Sequence, residues 1–135
     1  MSSPLSETLG IRAGSRIAVI EPPPGLAEAL EPLPEGVERL TEAETGLDLL
    51  LFFTHDARHL VSRMPALVRA LSLSGRLWIA WRPGTAPPLD EVLVRQAGLE
   101  HGLVDDRRAD VLPGWTGLRL RWRSRPRVER PSPRA

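Results

Sequence analysis

Three features of the sequence predict an α/β fold built on a doubly wound, mainly parallel sheet. Short apolar runs at Arg16–Ile20 and Leu47–Phe53 are too brief for buried helices and too continuous for half-exposed strands. Such runs suit strands covered on both faces. Between strands, apolar residues recur with helical spacing, most clearly Leu60, Val61, Met64, Leu67, Val68 and Leu71. Last, two strands near the C-terminus have no helix between them, so one is expected to run antiparallel. Right-handed crossovers then give a compact Rossmann-like sheet of about six strands with one antiparallel strand near the C-terminus.

Taken in order, Ser3-Pro4 starts a short helix over 5–9, Gly10 stops it, and Ala13-Gly14-Ser15 turns into the first strand. Pro22, Pro23 and Pro24 cannot extend that strand, because they lack ladder donors. Pro24 suits the first turn of a helix over 25–30, which Pro32 and Pro34 end. A short strand over 37–40 and a polar link over 41–46 lead to Leu47–Phe53, the expected central strand. Asp56 places an acid at the start of the next helix, where exposed N–H groups favour it. Arg58, Arg63 and Arg69 fall off that helix's apolar face, and Pro65 is expected to kink or restart it. Ser74-Gly75 closes the helix before a strand over 76–81. A Pro/Gly-rich loop over 82–88 precedes a helix over 89–97, with Gly98 as its stop. The final strands lie within 102–111 and 116–123, joined through Pro113-Gly114. One domain is expected over 1–123, followed by a flexible Arg/Pro-rich tail over 124–135.

Composition excludes several classes of function. A chain of 135 residues can bury a core without disulfides or metals. Cysteine is absent, which removes thiol nucleophiles, disulfide frameworks and thiolate metal sites. No apolar run approaches the ~18 residues needed to cross a bilayer, and the first residues lack a basic region. A soluble, cytoplasmic protein with no membrane partner is expected. The net charge of +1 conceals an asymmetry: residues 1–118 carry 11 Arg and 16 acids, residues 119–135 carry 7 Arg and only Glu129.

From Ser62 onward the order of elements resembles the C-terminal half of class I methyltransferases. The segment Leu71-Ser-Leu-Ser-Gly-Arg-Leu77 is similar to their Leu-x-Pro-Gly-Gly-x-Leu, keeping Gly75 and both leucines. Gln96-Ala-Gly-Leu99 is similar to their Ala-Gly-Phe before the sixth strand. The span 5–123 resembles more closely a bacterial family of small, stand-alone proteins of uncharacterised function. That resemblance lies in Leu9-Gly-Ile-Arg-Ala-Gly-Ser-Arg16, Pro23-Pro-Gly-Leu26, Leu33-Pro-Glu-Gly36, Leu77-Trp-Ile-Ala-Trp81, Gly102-Leu-Val-Asp105 and Trp115-Thr-Gly-Leu118. It implies a truncated, methyltransferase-like Rossmann core. In that family Trp-Pro-Lys-Lys commonly follows the fourth strand, whereas this chain has Trp81-Arg-Pro-Gly84, so a site using those lysines does not carry over.

Ligands of doubly wound sheets bind outside the carboxyl ends of the strands, at the switch point. A methyltransferase uses glycines after its first strand for close backbone approach, and an acid after its second for the ribose. Glu21-Pro-Pro-Pro-Gly25 offers one glycine and three rings without donors, while Glu42 and Glu44 stand in a region acidic throughout. No cofactor is therefore expected, and S-adenosylmethionine is disfavoured. His55 and His59 are spaced as two helical metal ligands, but the sequence between them lacks the zincin glutamate, so no metal is expected. Asp105, Asp106 and Asp110, interleaved with Arg107 and Arg108, read as a solvated strand with Arg–Asp pairs across it. No nucleophile elbow or phosphate-binding glycine loop occurs, so no catalytic residue is assigned.

The leading expectation is a non-catalytic domain that binds a partner protein or small ligand at the carboxyl edge of the sheet. The candidate crevice comprises Glu21, Pro23, Gly25, Thr54, His55, Asp56, Trp81 and Arg82. One alternative is a divergent S-adenosylmethionine-dependent methyltransferase. Another is a nucleic-acid or anion-binding module using Arg119, Arg121, Arg123, Arg125 and Arg127, a basic stripe that the acidic stretch 28–44 could neutralise.

Overall fold

A computed structural model of the chain describes residues 2–84 and 89–123. The elements follow as α1 (Pro4–Leu9), β1 (Arg16–Ile20), α2 (Leu26–Leu30), β2 (Glu38–Leu40) and β3 (Leu47–Phe53). They continue as α3 (Ala57–Ala70), β4 (Leu71–Trp81), α4 (Glu91–Leu99), β5 (Leu103–Leu112) and β6 (Trp115–Trp122). The strands form one six-stranded sheet in the order β2-β1-β3-β4-β6-β5. Pairing is parallel from β2 through β4, and β6 runs antiparallel to both of its neighbours. The expected architecture is the observed one.

Burial on both faces explains the central run. Along β3, Leu47, Leu50 and Phe52 pack with Leu60, Met64 and Leu67 of α3 and Val94 and Ala97 of α4. Leu49, Leu51 and Phe53 face the other way, into a core shared with Leu5 and Leu9 of α1 and Leu26 and Leu30 of α2. Each fully buried side chain of this kind contributes about 1.5–3 kcal/mol of transfer free energy. Trp78 and Trp81, three apart on β4, fall into opposite cores, and both are buried.

Three residues act differently from the sequence reading. Helix α3 does not restart at Pro65, but runs on as one helix over Ala57–Ala70 with the proline inside it. Pro65 lies on the exposed side, and Val61, one turn before it, is 58% exposed. The carbonyl that proline leaves without a partner thus belongs to a face that water reaches. Pro65→Ala should therefore raise stability by about 1–2 kcal/mol in urea denaturation, less than the full helix-interior penalty because alanine also loosens the unfolded chain.

Gly75 does not end that helix; it lies inside β4, which begins at Leu71 opposite Leu47. The register slips between Leu47 and Leu49, and a Cβ on Gly75 would sit 2.8 Å from the Leu47 carbonyl oxygen. Close backbone approach, rather than a helix stop, requires the glycine. Gly98 likewise lies within α4, where a Cβ would meet Leu120 Cδ1 at 2.9 Å. Asp90 caps α4, accepting from the Leu93 N–H at 3.0 Å.

A bulge shapes the last hairpin. Asp105 pairs with Leu120 and Arg107 with Arg119, which leaves Asp106 as an extra residue on β5. The inserted residue reverses the alternation. Before it, Asp105 faces α4, where Arg95 donates to it at 3.1 Å; beyond it, Ala109 and Val111 join the α1/α2 core. The carboxylates of Asp105 and then Glu91 hold the Arg95 pKa above the ordinary arginine value.

Candidate functional site at the carboxyl edge

Sheet order places the switch point between β1 and β3, since the chain leaves β1 toward β2 on one side and reaches β3 on the other. Glu21, the residue that follows β1, adopts φ 56°, a left-handed conformation that costs a side-chain-bearing residue about 1–3 kcal/mol. This turn carries its carboxylate away from the strand toward α3. Oε2 lies 3.0 Å from His59 Nε2 and 3.0 Å from Arg63 Nη1, and Oε1 lies 3.6 Å from His55 Nε2.

Helix α3 is held for this purpose by its first turn. Asp56 is the N-cap and accepts from the His59 N–H at 2.8 Å. Thr54, 1% exposed, extends the β3–β4 pairing through its N–H to the Ala80 carbonyl. Its hydroxyl lies 2.9 Å from His59 Nδ1 and 3.3 Å from the Asp56 carbonyl oxygen. One hydroxyl proton faces two acceptors, so His59 Nδ1 either accepts from Thr54 or donates to it as the proton moves. Glu21, His59 and Thr54 form a continuous chain of hydrogen bonds from a part-exposed carboxylate to a buried hydroxyl. The His59 ring also packs on Phe52, with centroids 5.2 Å apart, and the Arg63 guanidinium lies 5.5 Å from the same ring's centre.

Of the expected crevice residues, the structure brings together Glu21, Thr54, His55 and Asp56. Pro23 and Gly25 stand in the adjoining β1–α2 turn, where Pro23 accepts from the Leu26 N–H at 3.3 Å and Gly25 has φ 93°. A Cβ at Gly25 would meet nothing within 4 Å, so the outside of this turn is open space. Trp81 instead belongs to the α3/α4 core, and the Arg82 guanidinium lies 5.7 Å from the ring centre of Trp115. His59 and Arg63 were missed as partners of Glu21. Their spacing with His55, four residues each time, was the available signal: it repeats one helical face toward the strand ends.

Among the described residues, no group of three His, Asp or Glu is placed to hold a metal ion. Nor is any helix long and apolar enough to cross a membrane. Within the acidic stretch 28–44, Glu38 and Glu44 pair with Arg16 at 3.1 Å and 3.6 Å, and among the described residues none of its acids pairs with Arg119, Arg121 or Arg123. Arg119 and Arg121 instead meet Asp106, while Arg125 and Arg127 fall outside the described residues.

No family model matches the chain, and no curated protein does. Solved structures do. A possible exported protein from Bordetella parapertussis aligns with TM-score 0.63 at 14% identity over 89% of this chain, which spans 66% of that protein's length. The N-methyltransferase NodS from Bradyrhizobium japonicum WM9 aligns with TM-score 0.60 at 14% identity, covering 89% of this chain and 91% of its own. A SAM-dependent methyltransferase from Aquifex aeolicus aligns with TM-score 0.57 at 12% identity, covering 84% of this chain and 85% of its own.

These likenesses correct the expectation of no cofactor. The fold is shared with a SAM-dependent methyltransferase, so the absence of a glycine run after β1 is no ground for excluding a cofactor. The single glycine of Glu21–Gly25, the missing amides of Pro22–Pro24 and the weak signal of Glu42 and Glu44 concern the loops after β1 and β2 alone, whereas the charged groups at the switch point come from the ends of β1 and β3 and from α3. The chain therefore has a methyltransferase-like Rossmann fold.

Proposed function

We propose that the chain is a divergent S-adenosylmethionine-binding methyltransferase domain. The observation that carries this reading is the charge cluster on Glu21 at the switch point of a sheet in methyltransferase order. The residues present fit the cofactor. Its sulfonium and ammonium suit the Glu21 carboxylate, and its carboxylate suits His55 and Arg63 beside it. The left-handed turns at Glu21 and Gly25, with open space outside Gly25, provide room for close approach without a run of glycines. When bound, the cofactor supplies a methyl group activated by its sulfonium charge. The chain's own part is to orient that charge with Glu21, and to take up a proton through the His59–Thr54 pair.

Calorimetric titration with S-adenosylmethionine tests this. Saturable heat at one site per chain is expected, with competition by S-adenosylhomocysteine. No heat at millimolar cofactor overturns the reading and leaves a domain that binds some other ligand or partner.

A further inference from the structure

A second charged site lies at the opposite, amino edge of the sheet. A cavity of about 430 Å³ opens there, between the α1–β1 loop, the start of β3, and strands β4 and β6. Its volume falls in the range of small-molecule sites. Leu49, 3% exposed, contributes apolar surface, and Arg12, Arg76 and Arg119 contribute charge.

The arginines are gathered by the β5 bulge. Asp106, the extra residue, lies 2.7 Å from Arg119 Nε, 3.4 Å from Arg121 Nε and 3.5 Å from Arg76 Nε. One carboxylate, 18% exposed, thus stands under three guanidinium groups. Its charge can balance only one of them. Arg12 enters from the loop and makes no ion pair among the described residues. Asp48 stands at the rim, already accepting from the Arg16 N–H at 2.8 Å. The cavity is lined by three guanidinium groups, those of Arg12, Arg76 and Arg119, and against them stand the carboxylates of Asp48 at the rim and Asp106 beneath, which leaves an excess of one positive charge. Arginine forks also match oxyanions in geometry, each offering two parallel donors. Arg119 is aimed by packing as well: Asp106 holds its Nε, Trp78 lies beneath it at 6.0 Å, and its Nη1 would stand 3.3 Å from a Cβ on Gly10. That glycine keeps the guanidinium's approach clear.

We propose that this amino-edge cavity binds a small ligand bearing a phosphate or similar oxyanion, with Arg12, Arg76 and Arg119 as its donors. An enclosed volume of this size favours a compact anionic molecule over an extended strand of nucleic acid. The site stands on different residues from the S-adenosylmethionine crevice and does not depend on it.

Pyrophosphate is the probe, titrated at constant ionic strength made up with chloride and followed by calorimetry and by backbone amide NMR shifts. Saturable binding at one site per chain is expected, with the largest shifts at Gly10, Arg12, Ser15, Asp48 and Leu49. Arg119→Ala risks the fold, so the loop variant Arg12→Glu and the strand variant Arg76→Gln serve instead. Each is expected to weaken pyrophosphate by about tenfold or more, as for loss of a charge-assisted contact. Glu21→Gln should leave pyrophosphate affinity unchanged, which separates this site from the crevice. Absence of saturation at tens of millimolar (~50 mM against contacts of this strength) overturns the proposal. So does wild-type affinity in both arginine variants, or binding of single-stranded oligonucleotide that pyrophosphate fails to displace.

Discussion

Exchanging Glu21 for glycine is expected to weaken S-adenosylmethionine binding by about 10- to 100-fold while leaving the melting temperature unchanged or raised. The first effect is the loss of a carboxylate facing a cationic ligand, since hydrogen bonds to charged groups are worth about 1.5–3 kcal/mol. The second is a balance of two terms. Glycine adopts φ 56° without steric cost, which releases about 1–3 kcal/mol of strain. Against that stand three part-exposed pairs, with His55, His59 and Arg63, each worth about 0–1 kcal/mol. Glu21→Ala removes the same pairs but keeps the Cβ, so it should be less stable than Glu21→Gly, with the difference reporting the strain. Thermal unfolding and calorimetry on both variants check the two halves separately. A glycine variant that binds normally would remove Glu21 from the site, and one clearly less stable than the alanine variant would refute the strain.

Trp78→Ala should be the most destabilising single exchange, costing about 3–5 kcal/mol through the cavity it leaves. Trp78 is fully buried between the sheet and α1, and its Nε1–H donates to the Leu9 carbonyl at 2.9 Å. Truncation strands that carbonyl, which adds to the loss when no water can reach it. The ring also fills the space above Gly117, where a Cβ would come within 3.0 Å of Trp78 Cε3 and 2.6 Å of Val111 Cγ2. A domain of this size holds only about 5–15 kcal/mol in total. The variant should therefore melt about 10–20 °C lower, at roughly 3–4 °C per kcal/mol for a chain of this length. Trp78→Phe, which keeps most of the ring but not the donor, should fall between the two. A loss of under about 5 °C for Trp78→Ala would mean that α1 is not anchored as described.

Much of the fold was legible in short stretches of sequence. The apolar run Leu47–Phe53 marks the central strand, and the spacing of Leu60, Met64 and Leu67 marks the α3 face that covers it. Asp56 acts as the N-cap its position implied, and the helix-free passage from β5 to β6 produced the antiparallel strand. Less was legible where one pattern serves two causes. Gly75 reads equally well as a helix stop or as a close approach, and only its neighbour, the Leu47 carbonyl, decides. Pro65 reads as a break, yet a helix tolerates it where the lost hydrogen bond faces water.

The candidate sites divide in the same way. Position after β1 and after β3 was enough to single out Glu21, Thr54, His55 and Asp56, because strand ends gather at the switch point of any doubly wound sheet. That Glu21 meets His59 and Arg63, 38 and 42 residues away, follows from the β1–β3 register and the docking of α3. That Asp106 faces three arginines follows from one extra residue in β5. The sequence by itself determined the elements and their order, since caps, periodicity and proline act within a turn or two of chain. Only the tertiary structure decided which charges meet, because a shift of one residue in register sends a side chain to the opposite face.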